Sequence, residues 1–183
     1  MSTINRSNIS IDLDFSTKPG RPIFGRYMAM YIYNKSASDI ESCFVILEDV
    51  KALKGNWKPD KRIKYDPLLW GSLMVNRNGL KTIKKNNRDD TLVDILHTSD
   101  NKAGGHIFFT IQHIGEIINA PVGAYHLYLK IQGNHLGNDF TIPVNLTVTF
   151  SGGMSLSSIK PDKQRDKHIR KIRVLHDDNI VEY

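Results

Sequence analysis

Apolar residues at positions 9, 11, 13 and 15 alternate with Ser10, Asp12 and Asp14. This period-two pattern predicts a first strand with one wet face. The turn-rich segment 16–22, with Pro19-Gly20 inside it, resets the chain before a second strand over Arg26–Asn34. That strand is apolar on both faces and is expected near the centre of a sheet. A third is predicted over Cys43–Val50, leaving the core at Glu48-Asp49, and a short edge strand over Leu68–Val75. Four more follow at short spacing, over 91–96, 107–114, 123–133 and 140–150, bounded by Gly, Pro, Asn or Asp. The last is the clearest: Phe140, Ile142, Val144, Leu146, Val148 and Phe150 alternate with polar residues and Pro143. Because proline cannot donate to a ladder, its outward parity predicts an edge strand or one whose outer partner is missing there.

Seven or eight strands with no helix between them predict an all-β fold, a two-sheet antiparallel β-sandwich rather than an α/β scheme. Residues 1–8 read as a polar leader and 9–155 as the sandwich. Residues 156–183 read as a charged tail, disordered or a short helix, because Ile169, Ile172 and Leu175 have helical spacing but are few against the cost of ordering. On this reading the tail is dispensable to the sandwich.

The chain has 183 residues, 40% of them hydrophobic and 24% charged, which suits a globular domain that needs no staples. Cys43 is the only cysteine, so an internal disulfide is excluded and a reducing, cytoplasmic home is expected. The amino terminus lacks the apolar stretch of a secretory signal, and no apolar run is long enough to span a bilayer. The net charge of +6 is unevenly spread. Between 51 and 88, eleven Lys or Arg residues face only Asp60 and Asp66, whereas the tail mixes both signs.

Catalytic signatures are missing. The seven histidines are scattered without a metal-ligand spacing, so no metal site is expected. Cys43 opens an apolar strand, where a thiol behaves as a small hydrophobe. Asp94 interrupts an apolar strand and reads as a structural anchor, because a buried carboxylate must be paired. His113 reads as a satisfied residue at a strand end. Neither Gly104-Gly105 nor Gly152-Gly153 belongs to a phosphate-binding loop. No catalytic residue and no cofactor are therefore assigned.

The basic loops, 51–67 and 76–90, remain as the functional candidate. Trp57, Lys58, Lys61, Arg62, Lys64 and Tyr65 interleave cations with aromatics, and Lys81, Lys84, Lys85 and Arg88 extend the charge. Both loops are expected at one end of the sandwich as one positive surface. The landmarks Tyr27–Tyr33 with Asn34, Cys43-Phe-Val-Ile-Leu47, Leu69-Trp70, Val93-Asp94, Gly123-Ala-Tyr-His-Leu-Tyr-Leu129 and Val148-Thr-Phe-Ser-Gly152 span about residues 9–155. In these the chain resembles the immunoglobulin-like sandwich domains of uncharacterised prokaryotic proteins, which often follow a pair of amino-terminal membrane helices. The resemblance implies an immunoglobulin-like fold and a binding role, with no catalytic residue to carry over. The expected function is thus a non-enzymatic interaction module offering basic loops to an acidic protein, or alternatively to nucleic acid stacked on Trp57 and Tyr65.

Overall fold

The structure is a computed structural model and describes residues 8–19, 26–58, 67–68, 80–86, 92–99, 106–111, 116–121, 123–150, 156–163, 166–176 and 179–183. Among them the chain forms β1 (Ile11–Pro19), β2 (Arg26–Asn34), β3 (Ile40–Ala52), β4 (Lys81–Ile83), β5 (Leu92–Ser99) and β6 (His106–Ile111). It continues with β7 (Glu116–Ala120), β8 (Ala124–His135), β9 (Asn138–Phe150), β10 (Leu156–Pro161), β11 (Ile169–His176) and β12 (Asn179–Glu182). One sheet has the order β12-β11-β1-β2-β5-β6-β7 and the other β10-β9-β8-β3-β4. The all-β class and the two packed sheets are as the alternation predicts.

The core lies between the sheets. Leu13 and Phe15 of β1, Met30 and Ile32 of β2 and Val93 and Ile95 of β5 are buried on one side. Val45 and Leu47 of β3, with Leu127, Leu129 and Ile131 of β8, are buried on the other. On β9, Ile142, Val144, Leu146, Val148 and Phe150 are all buried while Thr141 and Pro143 are exposed, so the predicted face is the observed one. Pro143 pairs with Lys130 of β8, and the β9–β10 ladder stops at Leu146–Pro161. The proline thus sits where its strand has no β10 neighbour, as its missing N–H requires.

Three expectations are corrected. First, there are twelve described strands, not seven or eight: β4 falls in an expected loop, β7 between two expected strands and β10–β12 in the expected tail. Second, the sheets are not purely antiparallel: β1 runs parallel to β11. Third, the described residues of 156–183 form strands β10, β11 and β12 where a disordered or helical tail is expected. β10 pairs with β9 in one sheet and β11 with β1 in the other, so the segment closes one flank of the sandwich. Ile159, Ile169, Ile172 and Val174 are buried.

The helical spacing of Ile169 and Ile172 has a strand explanation. In the β1–β11 register Ile11 faces Ile169 and Asp12 faces Lys171, so Arg170 is an extra residue at a bulge. A bulge inserts one residue without a partner and shifts the alternation by one position. Two residues three apart then point into the same core. The expected edge strand at 68–75 is represented only by Pro67 and Leu68, which meet β3 at Ile46 and Val45; 69–75, with Trp70, lie outside the described residues.

One buried polar side chain has a pH consequence. His135, at the end of β8, is 1% exposed, and neither ring nitrogen has a hydrogen-bond partner among the described residues. Desolvation pushes its pKa below the ordinary value, so the folded protein holds it neutral. The unfolded chain takes up a proton near about pH 6.5. The folded state therefore binds fewer protons, and stability is expected to fall as pH drops through that value toward the depressed folded pKa. The parent and His135→Leu, melted at a series of pH values from about 7.5 to about 5, should diverge, the parent losing more. Parallel curves would show that His135 is not the group responsible.

Candidate anion-binding surfaces

The described residues of the predicted site, Trp57, Lys58, Lys81, Lys84 and Lys85, divide between the two ends of β3. Its C-terminal end runs through Lys51 and Ala52 into the bends at 53–56, where Lys54 and Lys58 are exposed. Its N-terminal end meets β4, Ile40 facing Ile83, and Lys84 and Lys85 follow directly. β3 has 13 residues, and at ~3.3 Å per residue its ends lie roughly 40 Å apart. The expectation of one continuous surface is not met by these lysines. The reason is topological: an antiparallel β4 on the edge of β3 must deliver the chain to the opposite end from the one it left. Lys61, Arg62, Lys64, Tyr65 and Arg88 lie outside the described residues, as does His113.

At the far end the ammonium of Lys84 is engaged. Lys84 Nζ lies 2.8 Å from Asp39 Oδ2, and the Lys85 backbone N–H donates to Asp39 Oδ1 at 2.8 Å. These donors hold the Asp39 carboxyl below its ordinary range, and the Asp39 carboxylate in turn raises the Lys84 ammonium. Lys81 is half-buried on β4 opposite Cys43. Cys43 itself is completely buried, and desolvation pushes its thiol up to about 12. A thiol so held is unreactive near neutral pH, in accord with its reading as a core residue.

Around residues 51–58 a basic loop is attached to the core by an aromatic chain. The half-buried Trp57 meets Tyr125 edge-on with ring centroids 5.3 Å apart, and Tyr125 meets Phe150 at 6.3 Å. Tyr125 is 1% exposed, and its hydroxyl donates to the Pro121 carbonyl. The loop is further tied by the Leu53 N–H donating to the Ala124 carbonyl at 2.8 Å. Trp57 was expected to offer a stacking face, whereas its ring packs on the core, as large apolar surfaces do. On the adjoining outer face, Lys51 Nζ sits 5.0 Å from the Tyr128 ring centre and 3.4 Å from Asp49. His126 Nδ1 and Thr147 Oγ1 are 3.0 Å apart beside it.

A second polar surface, missed in the sequence, lies on the outer face of the other sheet. Register brings it together: Asp12 faces Tyr33 across β1–β2 and Lys171 across β1–β11, and Asp14 likewise faces Tyr31 and Arg173. Arg173 grips Asp14 with two hydrogen bonds, Nε to Oδ1 at 2.7 Å and Nη2 to Oδ2 at 2.5 Å. That carboxylate raises the guanidinium pKa further. Burial and, after it, the Asp14 charge push the Tyr33 phenol up. Tyr31 and Tyr33 lie parallel, centroids 6.3 Å apart. The signal was present as the alternations Asp12/Asp14, Tyr31/Tyr33/Lys35 and Lys171/Arg173, but only strand pairing makes them neighbours.

Among the described residues no three His, Cys, Asp or Glu side chains are gathered as for a metal ion, and no helix is long and apolar enough to cross a membrane. Comparison of the chain with family models, with curated proteins and with solved structures gives no match in any of the three.

Proposed function

We propose that the chain is a non-enzymatic, cytoplasmic binding module of the immunoglobulin-like kind, which presents the basic loop 51–67 to an acidic protein surface. The observation carrying this reading is the anchored loop: Trp57 docks on Tyr125 while Lys54 and Lys58 on either side of it stay exposed. Lys61, Arg62 and Lys64 follow in sequence against Asp60 and Asp66. An anchored loop loses less conformational freedom on binding, and clustered like charge raises the potential that draws in an anion. The strand order supports the immunoglobulin-like part, since β1, β2 and β5 share one sheet while β3 crosses to join β8 and β9 in the other. Nucleic acid is the alternative partner, with less support because the Trp57 ring is engaged with Tyr125.

Poly-L-glutamate and oligo(dT) of equal charge serve as defined probes. Lys51, Lys54 and Lys58 changed together to Glu should weaken poly-L-glutamate binding by about tenfold or more, with a steep salt dependence. Lys84 and Lys85 changed to Glu should not. Equal losses in both variants would remove the loop from the reading. Tighter binding of oligo(dT) than of poly-L-glutamate would favour the nucleic-acid partner.

A further inference from the structure

Among the described residues four large apolar side chains are exposed, and two of them, Ile180 at 63% and Val181 at 48%, are neighbours on β12. β12 is the last strand of its sheet, paired on one side with β11 and on the other with no described strand. The pairing fixes which of its backbone groups are in use. The Tyr183 N–H donates to the Ile172 carbonyl at 2.9 Å, in the register that sets Glu182 opposite Arg173 and Val181 opposite Val174. Hydrogen-bonded pairs alternate with non-bonded ones in an antiparallel ladder, so Val181 turns its N–H and C=O to β11, whereas those of Ile180 and Glu182 point outward. Such an edge is a template for another strand unless something guards it. β4 has three residues and a shifted register, and β10 ends at Pro161. β12 has no proline, no lysine and no bulge, and its one charged residue, Glu182, is drawn back to Lys171, Nζ to Oε2 at 2.7 Å.

We propose that β12 pairs antiparallel with β12 of a second copy of this chain, about a two-fold axis through Val181. The register follows from the outward groups. With Val181 opposite Val181, Ile180 of each copy meets Glu182 of the other and exchanges both N–H···O bonds with it, so the outward groups of both residues are all used. An axis through Glu182 would set two carboxylates against each other, and like charges directly opposite are unfavourable. An axis through Ile180 would carry Glu182 past the end of the other β12. On the face shared with Val174 and Ile172, the two Val181 residues meet with Cα atoms about 4.5 Å apart and Tyr183 of each copy diagonal to them. A foreign strand would match the backbone alone, whereas a second copy matches the side chains as well, valine on valine and isoleucine against the stem of Glu182. So few residues bury less than the ~1,200 Å² of a stable interface, and the dimer is reversible, with a Kd of roughly 10–100 μM. The edge belongs to the sheet that does not carry the basic loop, so the pairing does not depend on the loop's role.

Sedimentation equilibrium between about 5 μM and about 500 μM should show monomers passing to dimers. Amide hydrogen exchange of the ¹⁵N-labelled parent at both ends of that range reads the register. Exchange at Ile180 and Glu182 should slow about threefold or more at the high concentration, while Val181 and Tyr183, bonded to β11 in the monomer already, should change far less. Val181→Lys sets two ammonium groups face to face, and Ile180→Pro removes an N–H that β11 does not use. Each should raise the Kd about tenfold or more, with the melting temperature of the dilute protein unchanged. Leu136→Lys, at an exposed apolar residue between β8 and β9, should leave the Kd as it is. Should either edge variant melt lower, the amide pattern of the parent still decides the matter. Dimers that form without slowing at Ile180 and Glu182, or that survive both folded edge variants, overturn the proposal. So does a chain that stays monomeric throughout, which would leave the edge to a strand of another protein.

Discussion

A chain ending at Lys163 is expected not to fold to a stable sandwich. It keeps β10 but loses β11 and β12, and with them Ile169, Ile172 and Val174 from the core. Deleting one buried aliphatic side chain down to alanine costs about 2–5 kcal/mol, and a whole domain is stable by about 5–15 kcal/mol. Three such losses exceed most of that margin. Truncation also strips β1 of its parallel neighbour and leaves Asp14, 5% exposed, without Arg173. An unpaired buried carboxylate and a bare inner strand each promote unfolding or aggregation. Circular dichroism and thermal melting of the truncated chain give the answer. Ile172→Ala is the milder companion, expected to lower stability by about 2–5 kcal/mol. A truncated protein that melts like the parent would mean that the flank needs no cover.

The contrast between β9 and β11 shows where sequence reading succeeds. β9 alternates without interruption because it is straight against β8 for 12 residue pairs, from His135–Asn138 to Ala124–Thr149. Its face could be read residue by residue. β11 carries the same kind of core residues, yet the extra Arg170 breaks the alternation, and Lys167, Arg170, Lys171 and Arg173 give it the composition of a tail. Pairing with Asp12, Glu182 and Asp14 accounts for Arg170, Lys171 and Arg173. A partner 159 residues away in sequence cannot be seen from local composition.

The candidate surfaces follow the same logic. The excess of lysine and arginine between 51 and 88 is visible as composition, but the separation of Lys51, Lys54 and Lys58 from Lys84 and Lys85 depends on how β4 joins the edge of β3. The Asp12, Tyr33 and Lys171 grouping was invisible for the same reason: three strands from distant parts of the chain meet there. What local chemistry did specify was the character of single residues, such as a buried Cys43 and an outward Pro143.

Tyr125→Ala should be among the most destabilising single substitutions in this protein, at about 3–5 kcal/mol, the range for emptying a buried aromatic site. Tyr125 stands between Trp57 and Phe150 and, among the described residues, is the only ring in contact with both. Removing it opens a cavity and strips Trp57 of its edge-on partner at once. Tyr125→Phe keeps the ring and loses only the hydrogen bond to Pro121, so about 1 kcal/mol is expected, more if the carbonyl is left without a donor. Because the two rings share one contact, Trp57→Ala should cost much less in a Tyr125→Ala background than in the parent. Local consequences should appear before global ones. In Trp57→Ala the loop loses its anchor, and trypsin should cut after Lys54, which Gly55 follows, faster than in the parent at a temperature where both proteins are folded. Unchanged cleavage, together with additive losses in the double variant, would mean that Trp57 does not hold the basic loop in place, and the anchored presentation of Lys54 and Lys58 would lose its physical basis.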